Sequence, residues 1–424
     1  MLNVWLVQIG EPLPFNDDVR KMRTGLLADK LVERGHDVRW WAGAFEHQRK
    51  RMLFDGDVVR SMRGGLTLQI LKGCGYKRNI SLRRYLDHWI VAGKFRVQAE
   101  ALPAPDVIVA SMPDHHLAWE AVRYARQRRI PILVDVRDQW PDIFVYALPG
   151  GVLRALAKGF LAGDFRKLAS LLHSADGIVA MSNGLLEWAL RKVPRPSGPW
   201  DRVFYMGYHN TPLEPGTVSA SSLPDEKGKK TFVYLGTFGH SYELELLLEA
   251  AKDFLREGRK DVRFVLAGTG EQEAELRRRA ADLPNTCLPG WISAGEIRAL
   301  LRTAWAGVIP CRSVAGALPN KVFEYFSAGL PVVSSLEGEM ADAISGRRLG
   351  LNYHAGDLAG LIRAIRTLLD DEPLRDAMAE NAAAYFLEQG DADVIYDAYA
   401  RHVEDLVASL ADRGMSSHGY GSCR

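Results

Sequence analysis

Short apolar runs alternate with helical patterns along this chain, and that alternation most limits the folds open to it. In the first half the runs are "NVWLVQIG", "HDVRWWAG", "DVIVAS", "IPILVDV" and "DGIVAMS"; in the second they are "TFVYLGT", "VRFVLAGTG", "AGVIPC" and "LPVVSS". Strands separated by amphipathic helices such as "VRKMRTGLLADKLVERG" predict right-handed βαβ crossovers and parallel sheets. At 424 residues the chain is too long for one compact core. The Pro/Gly-rich stretch "KVPRPSGPWDRV", residues 192–203, suits a linker. The expected architecture is α/β, with two Rossmann-like domains over residues 1–200 and 201–392. A helix over 393–411 follows, and the Gly/Ser-rich residues 413–424 read as a disordered tail.

Composition narrows the class. With 47% apolar and 25% charged residues the chain reads as an ordinary soluble globular protein. Cys74, Cys287, Cys311 and Cys423 show no C-x-x-C pair and no zinc-site spacing, so reduced, incidental thiols are expected. "MLNVWLVQIG" reads as a strand and not a signal peptide, and no run approaches the ~20 apolar residues of a membrane span. A cytoplasmic protein is expected. Residues 1–200 hold 30 Lys and Arg against 20 Asp and Glu, whereas residues 201–424 hold 24 against 32. The basic half suits an anionic membrane surface or a phosphorylated acceptor better than nucleic acid, for which no binding motif is present.

Ligands of open parallel sheets bind beyond the carboxyl ends of the strands, and the motifs gather there. "YLGTFGHSYELELLLEAA" is a strand, a loop with Gly236 and Gly239, then a helix for which Ser241 is the expected N-cap. Such a loop lets backbone N–H groups approach a diphosphate, although a plain βα turn uses glycine too. "LAGTGEQEAEL" repeats the arrangement with Gly268 and Gly270, and neither loop has the full dinucleotide fingerprint, so no nicotinamide cofactor is expected. Trp291 follows Gly290 and suits either a flat base or the core. In "VIPCRSVAGALPNKVFEYFSAGLPVV", Glu324 early in a helix, with Lys321 and Arg312 nearby, suits a ribose and a diphosphate.

The first half offers further candidates. Asp135, Arg137 and Asp138 follow an apolar strand, and the reading places Asp138 near an acceptor hydroxyl; a local Asp–Arg pair is the structural alternative. His115 and His116 follow "DVIVASMP", Arg20 and Arg23 open the first helix, and His47 lies in a basic loop. Residues 72–97 mix Lys and Arg with aromatics, as an amphipathic helix does on an anionic leaflet or on its own domain. "DAD" at 391–393 reads as a helix start, so no metal site is expected.

The ordered set "YLGTFG", "LAGTGE", "LPGWIS" and "PNKVFEYFSAGLPVV" resembles the retaining, family-four-like GT-B glycosyltransferases of bacterial polysaccharide assembly. "ERGHDV" and "PILVDVRDQWPDIF" are similar to the subset acting on lipid-linked O-antigen or capsule intermediates, such as amino-deoxysugar transferases. The resemblance implies a C-terminal helix that crosses back to the N-terminal domain. It implies a nucleotide-sugar donor, uridine by frequency, held by Gly236, Thr237, Gly239, Gly268, Trp291, Ile292, Arg312, Ala317, Leu318, Asn320, Lys321 and Glu324. It implies acceptor contacts from Asp18, Arg20, Arg23, His47 and Arg137, and catalytic roles for Asp138, His115 and Lys321. The acceptor implied is a lipid-linked saccharide, with front-face displacement, no metal and no cofactor, on a peripheral protein of the inner membrane face.

Two departures stand out. Gly316 occupies the place, eight positions before Glu324, where the family often has a first glutamate. The loop "GTFGHSYELE" also lacks the usual Arg and Lys, leaving Lys321 and Arg312 to supply the positive charge. A sugar-nucleotide epimerase on the same fold and a non-catalytic sugar-nucleotide or membrane-associated binding protein are the alternatives. Acceptor-dependent release of a nucleoside diphosphate separates the transferase from both.

Overall fold

A computed structural model of the chain describes residues 1–15, 21–47, 49–78, 81–146, 148–209, 228–312 and 319–418, the last eight as backbone only. The chain forms two compact units, Met1–Met206 with Asp393–Arg424, and Gly207–Ala392. The turnover thus falls a few residues beyond the linker stretch. The last helix, Ala392–His418, runs on past residue 412 into the segment whose composition reads as a disordered tail; residues 419–424 lie outside the described residues.

The first unit is built on an eight-stranded sheet. From edge to edge its strands are Arg202–Val203, Gly177–Ala180, Ile132–Val136, Val107–Ser111, Asn3–Val7, Asp37–Gly43, Leu66–Leu71 and Val58–Ser61. All neighbours pair parallel except the last two, which form an antiparallel edge. Val107–Ser111 and Ile132–Val136 are buried at every position, as strands covered by helices on both faces must be. Trp5, Trp41, Phe95 and Tyr124 meet in one aromatic cluster, with Trp5 stacked on Tyr124 at 5.3 Å and edge-on to Trp41 at 5.1 Å. The C-terminal helix closes this unit: Tyr399 stacks on Phe204 at 4.5 Å, and Glu404 accepts from Arg34 at 2.7 Å and 2.8 Å.

The second unit holds a six-stranded, all-parallel sheet in the order Thr286–Gly290, Val262–Ala267, Lys230–Leu235, Ala306–Ile309, Val332–Ser334, Gly350–Asn352. Its first strand in sequence, Lys230–Leu235, lies between the second and the fourth. Chain order therefore reverses at its carboxyl end. In the first unit, Asn3–Val7 sits at the corresponding switch between Asp37–Gly43 and Val107–Ser111. At such a point successive crossovers leave in opposite directions and open a crevice for a ligand.

Candidate functional site

In the second unit, the glycine loops that end the first two strands of the sheet bond to each other through their backbones. Gly236 N–H donates to the Ala267 carbonyl at 3.0 Å, Phe238 N–H to Thr269 at 2.8 Å, and Gln272 N–H to Phe238 at 2.9 Å. A Cβ on Gly268 would stand 1.7 Å from the Gly236 carbonyl oxygen, and one on Gly270 would stand 2.8 Å from the Phe238 backbone; φ is +150° and +157° at the two sites. Loop-against-loop packing therefore requires these two glycines, whatever the crevice binds.

Lys321 projects into this switch point. It opens the helix Lys321–Ser327, whose first six residues are all buried, with the Tyr325 hydroxyl accepting from Leu235 N–H at 2.9 Å. The ammonium lies 4.0 Å from the ring centre of Tyr234 and 3.7 Å from that of Tyr242. A Cβ on Gly236 would come 3.0 Å from it. Only 9% exposed, the Lys321 ammonium has no hydrogen-bond acceptor among the described residues. Burial lowers its pKa to about 7, against an opposing pull from Cys311 and Glu324. Glu324, one turn on, is also buried. Two tyrosine faces partly replace the solvent of this cation. Sequence patterns did not single out Tyr234 or Tyr242, although aromatics flanking a glycine loop at a strand end are a visible signal.

The other expected donor residues are dispersed in role. Arg312 is paired with Glu245 at 2.6 Å, so its guanidinium does not join Lys321, and its N–H donates to the Ser241 carbonyl. Ser241 does not cap the following helix; Glu243 holds that position. The Thr237 and Gly239 carbonyls accept from the Tyr234 hydroxyl and the Gln272 amide, each at 2.7 Å. Trp291 is 81% exposed beside buried Ile292. Asn320 accepts through its carbonyl from Phe323 and Glu324 N–H groups. Ala317, Leu318 and Gly316 lie outside the described residues, as do Asp18 and Arg20 of the acceptor set.

In the first unit a cavity of about 210 Å³ opens at the carboxyl ends of Asn3–Val7, Asp37–Gly43, Leu66–Leu71 and Val107–Ser111. His47, Tyr76, Arg84, Asp87, His88 and Asp114 bring its polar groups. His47 bonds the Tyr76 hydroxyl at 2.6 Å, and burial with the nearby Lys50 and Arg84 charges lowers its pKa to about 4. Arg84 lies 4.5 Å over the Trp140 ring. The buried Asp114 uses one oxygen to cap the helix His115–Arg128; its other oxygen lies 3.6 Å from His88 Nδ1 and has no hydrogen-bond partner among the described residues. Of the expected acceptor residues that are described, only His47 lines this cavity.

Arg23 and Arg137 do something else. Arg23 grips the fully buried Asp135 through Nε and Nη2 at 2.9 Å and stacks over Tyr399 at 5.1 Å. Arg137 bonds Asp135 at 2.8 Å, Ser111 at 2.8 Å and Glu11 by a shorter contact. The two flanking guanidinium groups hold the Asp135 carboxyl below its ordinary range, although burial alone would raise it. Arg23 therefore ties the first helix to the sheet and to the last helix, and Arg137 ties the sheet to Glu11 and to Thr24 of the first helix. Breaking such a buried pair typically costs about 3–5 kcal/mol. Asp138 is half-buried, accepts from Gln139 N–H at 2.7 Å and has its pKa raised by burial.

His115 does not face the cavity either. Its Nε2 meets Asp164 at 2.9 Å, beside the Tyr85 hydroxyl, which donates to the same oxygen at 3.0 Å. Among the described residues, His115, His116 and Asp164 form a group compact enough for a metal ion, with ligand atoms within 4.8 Å. The donor set fits one poorly. Lys167 Nζ lies 2.9 Å from His116 Nδ1, so that nitrogen is the acceptor and the proton sits on Nε2, the atom turned toward Asp164.

Two α/β units built on largely parallel sheets, each with a switch point in strand order, define the two-domain GT-B fold. Sucrose-phosphate synthase from Thermosynechococcus elongatus shares it at a TM-score of 0.70 and 16% identity, covering 96% of this chain and 100% of that one. Anabaena Alr3699/HepE in complex with UDP superposes with a TM-score of 0.66 at 14% identity, covering 96% and 100%. Residues 219–385 match the family model of glycosyl transferases group 1. Sulfoquinovosyl transferase SQD2 of Arabidopsis thaliana is 23% identical over 316 residues, 73% of this chain and 57% of that protein. The chain spans about half the length of the curated relatives it matches. The matched residues, 219–385, fall within the second unit.

Proposed function

We propose that this chain is a retaining glycosyltransferase that moves a sugar from a nucleoside diphosphate donor to a lipid-linked or growing saccharide. UDP-sugar is the donor class proposed, in keeping with the UDP bound by the Anabaena neighbour. The setting proposed is cell-surface polysaccharide assembly, O-antigen or capsule, at the cytoplasmic face of the membrane. One observation carries the reading: a buried lysine ammonium with no hydrogen-bond acceptor among the described residues, held at the switch point of the group 1 region. A buried cation in that state is costly and is relieved by an anion.

On this reading Lys321 takes the diphosphate and Glu324 the ribose hydroxyls. As the glycosidic bond breaks, negative charge grows on the departing diphosphate, and Lys321 with the loop amides after Leu235 stabilises it. The diphosphate oxygen accepts the proton of the incoming hydroxyl on the same face of the sugar. No residue acts as a covalent nucleophile, and the charge is met by Lys321 instead of a metal. The cavity beneath His47, Arg84 and Asp114 is the proposed acceptor site.

Calorimetric titration with UDP, GDP, dTDP, CMP and NAD tests this. UDP should bind the wild type, and Lys321→Ala should weaken binding about a hundredfold, a loss of roughly 3 kcal/mol. Glu324→Ala should weaken UDP more than inorganic diphosphate. Binding should also weaken above pH 7, where free Lys321 gives up its proton. Binding by no nucleotide, or binding untouched by either substitution, removes the donor-site assignment. UDP binding without acceptor-dependent UDP release leaves an epimerase or a binding protein.

A further inference from the structure

Among its described residues, the first unit presents an apolar face that covers nothing of its own. The helix Gly151–Phe160 has no buried residue, yet carries Val152, Leu153, Leu156 and Phe160, with Leu156 66% and Phe160 82% exposed. Ile143 and Tyr146, just before it, are exposed as well. On the helix Leu82–Glu100, exposed Leu82, Leu86, Trp89 and Val97 recur at spacings of four, three and eight, which places them along one stripe. Leu82–Glu100 bonds to the helix that follows Gly151–Phe160: the Tyr85 hydroxyl donates to Asp164 at 3.0 Å, and Asp164 lies in Ala162–Ser174.

The exposed charges of the segments that carry these apolar groups are mostly basic; the acids nearby are Glu100, which ends the helix Leu82–Glu100 and pairs with Arg128, and Glu120, which lines a pocket with Trp89 and Val97. Within residues 77–97 and 143–174 the acids are Asp87 and Asp164, both buried and bonded, the first to Gly75 N–H and the second to His115 and Tyr85. The exposed ionic groups are Lys77, Arg78, Arg83, Arg96, Arg154, Lys158 and Arg166. The unit as a whole holds 34 Lys and Arg against 26 Asp and Glu. Among the described residues no helix is long and apolar enough to cross a membrane. Short amphipathic helices with leucine and aromatic side chains on one face and basic groups alongside lie in the plane of a bilayer interface.

We propose that this face docks on an anionic phospholipid bilayer, with Leu156 and Phe160 entering the acyl boundary and Trp89 resting at headgroup level. The inference deepens the reading above by giving the lipid-bearing acceptor a surface from which to enter, and it stands on residues of the first unit, whereas Lys321 belongs to the second. The test is co-sedimentation of the full chain with vesicles of phosphatidylcholine alone and of phosphatidylcholine with about a third phosphatidylglycerol. The wild type should bind only the mixed vesicles, more weakly as salt rises. Leu156→Ser with Phe160→Ser should reduce partitioning at least tenfold. Arg154→Glu with Lys158→Glu should reduce it by a comparable factor. All four side chains are exposed, so unchanged melting and unchanged UDP titration are expected in both variants. Binding unaffected by these substitutions, or absent from both vesicles, overturns the proposal. So does a wild-type dimer, seen by light scattering, that Phe160→Ser converts to monomer. A loss of UDP binding with vesicle binding intact would instead fault the transferase reading alone.

Discussion

Replacing Lys321 with methionine should make the second unit more stable and unable to bind a nucleoside diphosphate. Moving the ammonium pKa from 10.5 to about 7 corresponds to about 5 kcal/mol, at ~1.4 kcal/mol per unit. The two ring contacts with Tyr234 and Tyr242 return roughly 1–2 kcal/mol each, leaving a net cost on the order of 1–3 kcal/mol. Methionine keeps the length and the apolar stem, packs against the same rings and carries no charge. For a unit of this size the gain should appear as a rise in melting temperature of roughly 3–8 °C. The pH dependence is the sharper check. Below pH 7 the folded and unfolded chains both hold the lysine proton; between about 7 and 10.5 only the unfolded chain does, so wild-type stability rises with pH there. The advantage of Lys321→Met must therefore be largest below pH 7 and shrink toward pH 10. Calorimetric scans at about pH 6.5, 8 and 9.5 would measure it. A destabilised variant, or a difference that stays flat with pH, would mean that Lys321 is already paired, and the argument for an anion site would fail with it.

Gly268→Ala should destabilise the second unit by about 3 kcal/mol or more in urea unfolding, because its Cβ would meet the Gly236 carbonyl at 1.7 Å and the backbone φ is +150°. Burial, together with His115 and Lys167, lowers the His116 pKa to about 3, so between its unfolded value near 6.5 and about 3 the unfolded chain binds the extra proton and stability falls as pH drops. His116→Gln should flatten that acid limb between pH 6 and 4 relative to wild type, as measured by urea midpoints across that range.

The fold was open to sequence reasoning because it rests on period. Runs such as "DVIVAS" and "IPILVDV" are strands buried on both sides, and their alternation with helices leaves little choice beyond parallel sheets with crossovers. Glu324 was singled out because a carboxylate in an otherwise apolar helix contradicts its burial, and Lys321 as a cation beside it; both signals are local. What sequence could not reveal were the partnerships made across long separations. Arg23 and Arg137 read as ligand contacts, yet the sheet brings Asp135 between them, 112 residues from Arg23 and two from Arg137. Arg312 looked like a second cation for the diphosphate until the fold set Glu245 against it. Conversely, Tyr234 and Tyr242 surround Lys321 only because the strand end and the loop after it converge on that helix. Periodicity and local composition determined which segments become strands and helices. Which charges are neutralised, and which are left for a ligand, was decided by tertiary structure, because the strength of a charge depends on burial and on neighbours that chain order does not reveal.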